Sequence, residues 1–144
     1  MKQKGFSLLE MVLVMLLLSI GVLCTTMHAL YVEEVKFTTL VKQVETGIKS
    51  AQYMANITGR EYNIFCTEKV VYIRPGYLKA IYVLNMGKNV TIPRDITGKQ
   101  ISFNGVLAPS KGGTIILINT ALQKRARITI RVATGKTSVY FEKL

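Results

Sequence analysis

Three arginines near the C-terminus, Arg125, Arg127 and Arg131, have a spacing that could bind phosphate groups. Apolar residues separate them, and a β-strand over residues 126–132 would place the arginines on one face, with first neighbours about 6.6 to 6.8 Å apart. Such a row can neutralise phosphates of a nucleic-acid backbone without reading its sequence. The same pattern is also typical of the solvated face of an amphipathic strand, or of a face that rests against anionic wall polymers.

The distribution of charge agrees with a polyanionic partner. Residues 61–144 hold 13 of the 19 Lys and Arg residues and 4 of the 8 acids, so they carry +9 of the total charge of +11. The sequence shows no row of aromatic residues that would stack single-stranded bases, which favours contact with a duplex backbone. DNA is therefore a candidate partner, with Arg125, Arg127 and Arg131 as its candidate binding residues.

The sequence contains no combination of residues with the spacing typical of a catalytic site. The only histidine, His28, falls at the edge of an apolar segment, and the acids of residues 61–144 lack the spacing of a paired acid and base. Cys24 and Cys66 are too far apart to form a zinc-type motif. The sequence thus predicts a protein that is not an enzyme, with no catalytic residue, metal, cofactor or small-molecule substrate.

One acid, Glu10, lies inside an apolar run from Phe6 to Leu23 that follows the basic residues Lys2 and Lys4. About 20 helical residues cross a hydrocarbon layer of roughly 30 Å, so the run predicts a transmembrane half-helix over residues 6–30. The lysines favour an N-terminus in the cytoplasm. A charge in such a helix costs at least about 2.5 to 3.5 kcal/mol and points to a nearby partner.

Three other interpretations of this segment compete. A cleaved secretory signal would need small residues before its cut site, but Met27 lies two places before the candidate Ala29. A lipoprotein signal would acylate Cys24, but the bulky Leu23 precedes it. A plain single-pass anchor fits the hydropathy and leaves Glu10 unexplained.

The residues Lys4-Gly5-Phe6-Ser7-Leu8-Leu9-Glu10 resemble the leader junction of type IV prepilins and pseudopilins. The resemblance implies that residues 1–5 are a leader peptide, that a prepilin peptidase cuts between Gly5 and Phe6, and that the new amine of Phe6 is methylated. It also implies that Glu10 pairs with the terminal amine of a neighbouring subunit. Phe6 and Glu10 are then assembly residues, and other pilin or pseudopilin subunits are the partners.

Beyond residue 30, apolar residues recur every three or four positions and predict an amphipathic half of the same helix over residues 31–58. Turn residues at Asn56–Gly59 end it. We expect the apolar stripe to pack on the protein's own domain. Its members are Phe37, Leu40, Val41, Val44, Ile48, Ala51 and Met54 or Ala55.

Residues 59–144 predict a β-rich extracytoplasmic domain, because short β-type runs alternate with turn residues such as Pro75-Gly76. The fold class is therefore α+β: a long N-terminal helix packed on a small antiparallel β-sheet domain, as in type IV pilins. The predicted strands are 62–66, 70–74, 80–84, 101–103, 114–118, 126–132 and 138–141.

The C-terminal half resembles the H-type and FimT-type minor pseudopilins, including the D-type minor pseudopilin of competence operons. The segments that carry this likeness are ISFNG at 101–105, GGTI at 112–115, and ITIRV at 128–132 followed by TGK at 134–136. The likeness implies a minor subunit of a DNA-uptake machine. A type II secretion pseudopilus and a type IV pilus follow as alternatives.

Two rivals from other classes stay open: a DNA-binding receptor at a filament tip, and a lone anchored surface domain with no filament. The predicted location is the cytoplasmic membrane, with a single pass and the C-terminal domain outside. Assembly would move the protein into a cell-surface or periplasmic filament.

Overall fold

The computed structural model describes residues 7–96, 98, 100–105, 109–132 and 134–144, apart from the side chains of Ser110 and Lys111. The chain divides into two compact units, Met1–Val35 and Lys36–Leu144. One helix, α1, covers Leu8–Thr58 and contributes to both units. Among the described residues, α1 is the one helix long and apolar enough to cross a membrane.

The first unit contains the apolar part of α1. Its leucine, valine and methionine side chains are exposed in the single chain, since nothing in this unit packs on them. Three hydroxyls donate hydrogen bonds to carbonyls of the preceding turn: Ser19 to Met15, Thr25 to Val22 and Thr26 to Leu23, at 2.8 to 2.9 Å. These bonds satisfy the few polar side chains without solvent, as an apolar environment requires.

The second unit contains the amphipathic part of α1, and the predicted stripe is confirmed there. Phe37, Val41, Val44, Ile48 and Ala51 are buried, and Leu40 packs against them. The last position of the stripe is Ala55, because Met54 is exposed.

Gly47 also lies on the buried face of the helix and was not part of the predicted stripe. A Cβ at this position would approach the Cδ1 atom of Ile73 to 2.9 Å. Glycine thus allows the helix backbone to lie close to the sheet.

The strands of the described chain form two antiparallel sheets. Sheet 1 has the order β3-β2-β1-β5-β6, and sheet 2 has the order β4-β7-β8-β9. The strands are β1 Glu61–Cys66, β2 Val70–Pro75, β3 Tyr82–Asn85, β4 Val90–Thr91, β5 Gln100–Asn104, β6 Pro109–Lys111, β7 Gly113–Asn119, β8 Lys124–Ile130 and β9 Thr137–Lys143.

The predicted α+β class is confirmed, and the arrangement is consistent with a type IV pilin-like fold. The β-sheet domain consists of two separate sheets, and each includes one short strand that was not predicted, β4 in sheet 2 and β6 in sheet 1. Both strands are only two or three residues long, too short to show an alternating pattern. Predicted strands 80–84 and 126–132 are shifted, since β3 begins at Tyr82 and β8 ends at Ile130.

One hydrophobic core joins the helix to both sheets. Ile48 of α1, Ile64 and Phe103 of sheet 1, and Leu117 and Ile128 of sheet 2 are all fully buried in the same cluster. At the edge of sheet 2, the rings of Phe37 and Phe141 meet edge to face, with centroids 6.3 Å apart. The two sheets and the outer part of the helix therefore form one unit in which each strand has a fixed position.

Cys66 gives the stability of this unit a testable pH dependence. Burial raises the pKa of the Cys66 thiol from 9.0 to about 12. The unfolded chain loses this proton near pH 9 while the folded chain keeps it, so the stabilisation is complete below pH 9 and falls as the pH rises toward 12. Urea unfolding of wild type and Cys66→Val should give free energies whose difference shrinks by about 1.4 kcal/mol between roughly pH 8 and 10. Parallel pH curves for the two proteins would contradict this.

Candidate functional site

The predicted cleavage and methylation residues, Gly5 and Phe6, lie outside the described residues. Ser7, the next residue, caps α1. Its Oγ accepts a hydrogen bond from the backbone N of Glu10 at 3.3 Å, and its carbonyl oxygen accepts from the backbone N of Glu10 and Met11. Ser7 and Glu10 have the spacing of a capping box, a helix-start signal that the sequence analysis missed.

Glu10 lies in the first turn of α1, exposed among apolar side chains. No ion pair of its carboxylate is found within the described residues. A helix N-terminus favours a negative charge, but that effect is worth only about 0.3 to 1 kcal/mol at an exposed position. Glu10 is therefore an acid in apolar surroundings that a cation from outside the described chain could pair.

Two of the three predicted arginines, Arg125 and Arg127, lie on one face of β8, as the alternation predicts. Ala126 and Ile128, which alternate with them, are buried in the core. The neighbouring strand β9 brings Glu142 opposite Arg125 and Tyr140 opposite Arg127. The tyrosine, 52% exposed, adds an aromatic ring to this basic face.

Arg131 does not join this face as a strand residue. It follows the end of β8, is exposed, and belongs to the turn that leads to β9. Its backbone N donates to the carbonyl of Lys136, and its carbonyl accepts from the N of Gly135. The strand ends here because the chain must reverse at Gly135, whose φ of 64° lies in the left-handed region.

Glu142 is an ion-pair partner of both arginines that was not predicted from the sequence. Its carboxylate lies 2.5 Å from a terminal nitrogen of Arg125 and 3.3 Å from one of Arg127. All three side chains are more than 30% exposed, so the pairing is worth about 0 to 1 kcal/mol and a stronger anion can displace it. Glu142 lies 17 residues from Arg125 and 15 residues from Arg127 in the sequence, and only the strand register brings it close to them.

The turn between β7 and β8 sets that register. Asn119 is fully buried, and its Oδ1 accepts hydrogen bonds from the backbone N of Ala121 at 2.9 Å and of Leu122 at 3.0 Å. Gln123 takes a positive φ of 50° and completes the reversal. Asn119 therefore positions the start of β8, where Arg125 follows.

The Asn119→Ala variant should be destabilised by about 1 to 3 kcal/mol, since it leaves the part-buried backbone N–H groups of Ala121 and Leu122 without their acceptor. Asn85→Ala, which removes an exposed amide at the end of β3, is the matched control and should change stability little. Denaturant unfolding of the full-length chain in detergent measures both. Equal stabilities of the two variants would show that Asn119 does not hold the turn.

Comparisons with known proteins bear on the N-terminus. Residues 1–23 match the family model described as "Prokaryotic N-terminal methylation motif". The comparisons with curated proteins and with solved structures find no match. The motif is that of a type IV prepilin leader, and together with the apolar helix it indicates a membrane-anchored, single-pass structural subunit. The leader therefore supports a place in the type IV pilin and pseudopilin superfamily.

Proposed function

We propose that this chain is a minor pseudopilin subunit of a type IV pilus-related machine for DNA uptake. The prepilin peptidase cuts between Gly5 and Phe6 and methylates Phe6, and the mature chain assembles with related subunits into a filament. The observation that carries the proposal is the methylation motif at residues 1–23, which includes Glu10 in the first turn of an apolar helix.

Assembly follows from the charge of Glu10. Its carboxylate needs a cation in the apolar layer, and cleavage after Gly5 would create one in the form of the Phe6 amine. On its own helix that amine lies at the N-terminus, near the positive end of the helix dipole, where a positive charge is unfavourable. Pairing the amine of one subunit with Glu10 of the next relieves both costs and links the subunits through parallel helices.

The function in DNA uptake is supported by the outer domain. Residues 61–144 carry a charge of +9, which includes Arg125 and Arg127 on the solvent-facing side of sheet 2 and Arg131 in the following turn. Glu142 holds the two guanidinium groups side by side at the surface. Several phosphates of a DNA backbone can pair with these arginines in place of the single Glu142 carboxylate. The face is therefore suited to contact with duplex DNA.

Residues 101–136 resemble H-type and FimT-type minor pseudopilins and the D-type subunit of competence operons. This likeness supports DNA uptake as the first choice among the related machines. A type II secretion pseudopilin and a minor pilin of a type IV pilus follow as alternatives. A DNA receptor at a filament tip is the rival from another class, and Tyr140 beside Arg127 favours it as the second candidate. In each case the N-terminus lies in the cytoplasm and the second unit outside.

Glu10 provides a test of assembly. Glu10→Gln keeps the side-chain shape and the Ser7 cap but removes the charge, so we expect at least a tenfold loss of the protein from sheared filaments, the equivalent of about 1.4 kcal/mol. Glu61→Gln, which removes an exposed acid from the outer domain, is the control and should leave recovery unchanged. Normal recovery of Glu10→Gln, at equal membrane levels, would show that assembly does not depend on the Glu10 charge, whereas absence of the wild-type chain from sheared filaments would favour a lone anchored domain.

Transformation frequency in a deletion strain of the source organism tests the link to DNA. The wild-type chain should restore uptake, whereas the triple variant Arg125→Gln, Arg127→Gln, Arg131→Gln should enter filaments and fail to restore it. The control variant Arg60→Gln, Lys88→Gln, Arg94→Gln removes the same charge from exposed positions elsewhere. It should behave like wild type if the arginine face acts by position and not by total charge.

The Glu142→Gln variant tests the same face in the opposite direction. It removes the acid that competes with phosphate, so DNA binding and uptake should be at least as strong as in wild type. Unchanged transformation in the deletion strain, once competence is verified, would contradict the DNA-uptake function and favour secretion or surface pili.

A further inference from the structure

A cavity opens on the face of sheet 1 that points away from the core. Its volume is about 310 Å³, and it lies between β1, β2 and the connection from β2 to β3. The residues that line it are Phe65, Tyr72, Arg74, Leu78, Lys79 and Ala80. Two aromatic rings and two cations thus converge on one open site, which we call the sheet 1 site.

The two rings are neighbours by strand register. Phe65 of β1 and Tyr72 of β2 are direct partners in the antiparallel ladder, so both side chains project to the same face. The adjacent pair Ile64 and Ile73 points the other way, into the core. The sequence analysis expected no aromatic row, because residues 65 and 72 come together only when the strands pair.

Arg74 adds a planar cation to the rings. Its guanidinium carbon lies 5.9 Å from the centroid of the Phe65 ring, within the range of a cation–π contact. Within the described chain Arg74 has no ion pair, and its Nε is buried without a hydrogen-bond acceptor. Arg125 and Arg127 share a carboxylate, whereas the charge of Arg74 is not neutralised by a neighbour in the described structure.

The connection from β2 to β3 is fixed beside the cavity by two hydrogen bonds to β1. Asn63, 1% exposed and the ladder partner of Arg74, donates from Nδ2 to the carbonyl of Gly76 at 3.2 Å. The N of Gly76 donates to the carbonyl of Glu61 at 2.7 Å, with φ at 52°. This turn supports the segment that carries Lys79, and its tip exposes Tyr77 to 91%.

We propose that the sheet 1 site binds one nucleotide unit of single-stranded DNA. Tyr72, Phe65 and the guanidinium plane of Arg74 provide surfaces on which a base stacks, while Lys79 and Arg74 attract the phosphate. The volume is at the lower end of the range for ligand sites, about 300 to 1,000 Å³, which suits one nucleotide and is too narrow for a duplex. The combination of stacking planes with unneutralised cations favours a nucleic acid over an apolar protein partner.

This inference rests on the proposed DNA-uptake function and adds to it a second site and a single-stranded ligand. The uptake function and the single-strand site can fail separately. The transformation assay reports whether the protein serves uptake at all, whereas binding by the purified protein reports whether this site holds a single strand.

Binding is measured with the full-length chain in detergent, by fluorescence anisotropy of three labelled probes. They are a short oligothymidine, an abasic oligomer of the same length, and a duplex of the same length. Tyr72→Leu keeps the apolar contact but removes a ring, and Lys79→Gln removes a charge from an exposed turn residue. Tyr53→Leu and Lys88→Gln are the matched controls, because both residues are exposed and lie outside the cavity.

We expect oligothymidine to bind about tenfold more tightly than the abasic oligomer, since stacking contributes and phosphate alone does not suffice. Tyr72→Leu should lose about tenfold in affinity for oligothymidine and little for the duplex. Lys79→Gln should weaken oligothymidine binding and reduce its salt dependence. The control variants should bind like wild type.

Photocrosslinking of a bromouracil-substituted oligomer locates the contact. Crosslinks on the peptide that contains Tyr72, or on Tyr77, support the sheet 1 site. Crosslinks confined to residues 124–143 would overturn it and place single strands on sheet 2. Equal affinity for the oligothymidine and abasic oligomers, unaffected by Tyr72→Leu, would overturn it as well, whatever the transformation assay shows.

Discussion

A carboxylate in an apolar helix is the constraint on which this account depends. Glu10 lies in the first turn of α1 among exposed apolar side chains, and the described part of the chain gives it no ion pair. A helix of this kind meets a cost of at least about 2.5 to 3.5 kcal/mol for the charge in a membrane unless a cation is supplied. Because of Glu10, the membrane helix requires a cation from a neighbouring subunit. For this reason we propose that Glu10 is the residue that drives assembly.

The second unit has two distinct basic faces. On sheet 2, Arg125 and Arg127 are held by Glu142, so their charge is partly offset until a stronger anion arrives. On sheet 1, Arg74 lies over an aromatic ring and no acid of the described chain pairs with it. We propose that the first face binds a row of phosphates and that the second binds a base with its phosphate. The same net charge can therefore be used in two ways, and the difference depends on which residues the strands place beside each arginine.

Local patterns in the sequence were sufficient for the helix and for much of the sheet. The stripe from Phe37 to Ala55 repeats at helical spacing over several turns, so most of its buried face was predictable, although Gly47 was missed. The short strands β4 and β6 could not be predicted, since two or three residues are too few to show an alternating pattern. The geometry of the two sites could not be predicted for another reason. Glu142 lies beside Arg125, and Phe65 beside Tyr72, only because of the register of the paired strands. Arg131 shared the alternation of the other arginines but fell beyond the end of β8, because Gly135 reverses the chain there.

We propose that the chain is a processed subunit held in a filament through its N-terminus. The most direct measurement is the intact mass and N-terminal sequence of the protein recovered from sheared filaments of the source organism. We expect a chain that begins at Phe6 and carries one methyl group on its amine. A chain that retains Met1 in cells with an active prepilin peptidase, or that never leaves the membrane fraction, would contradict it.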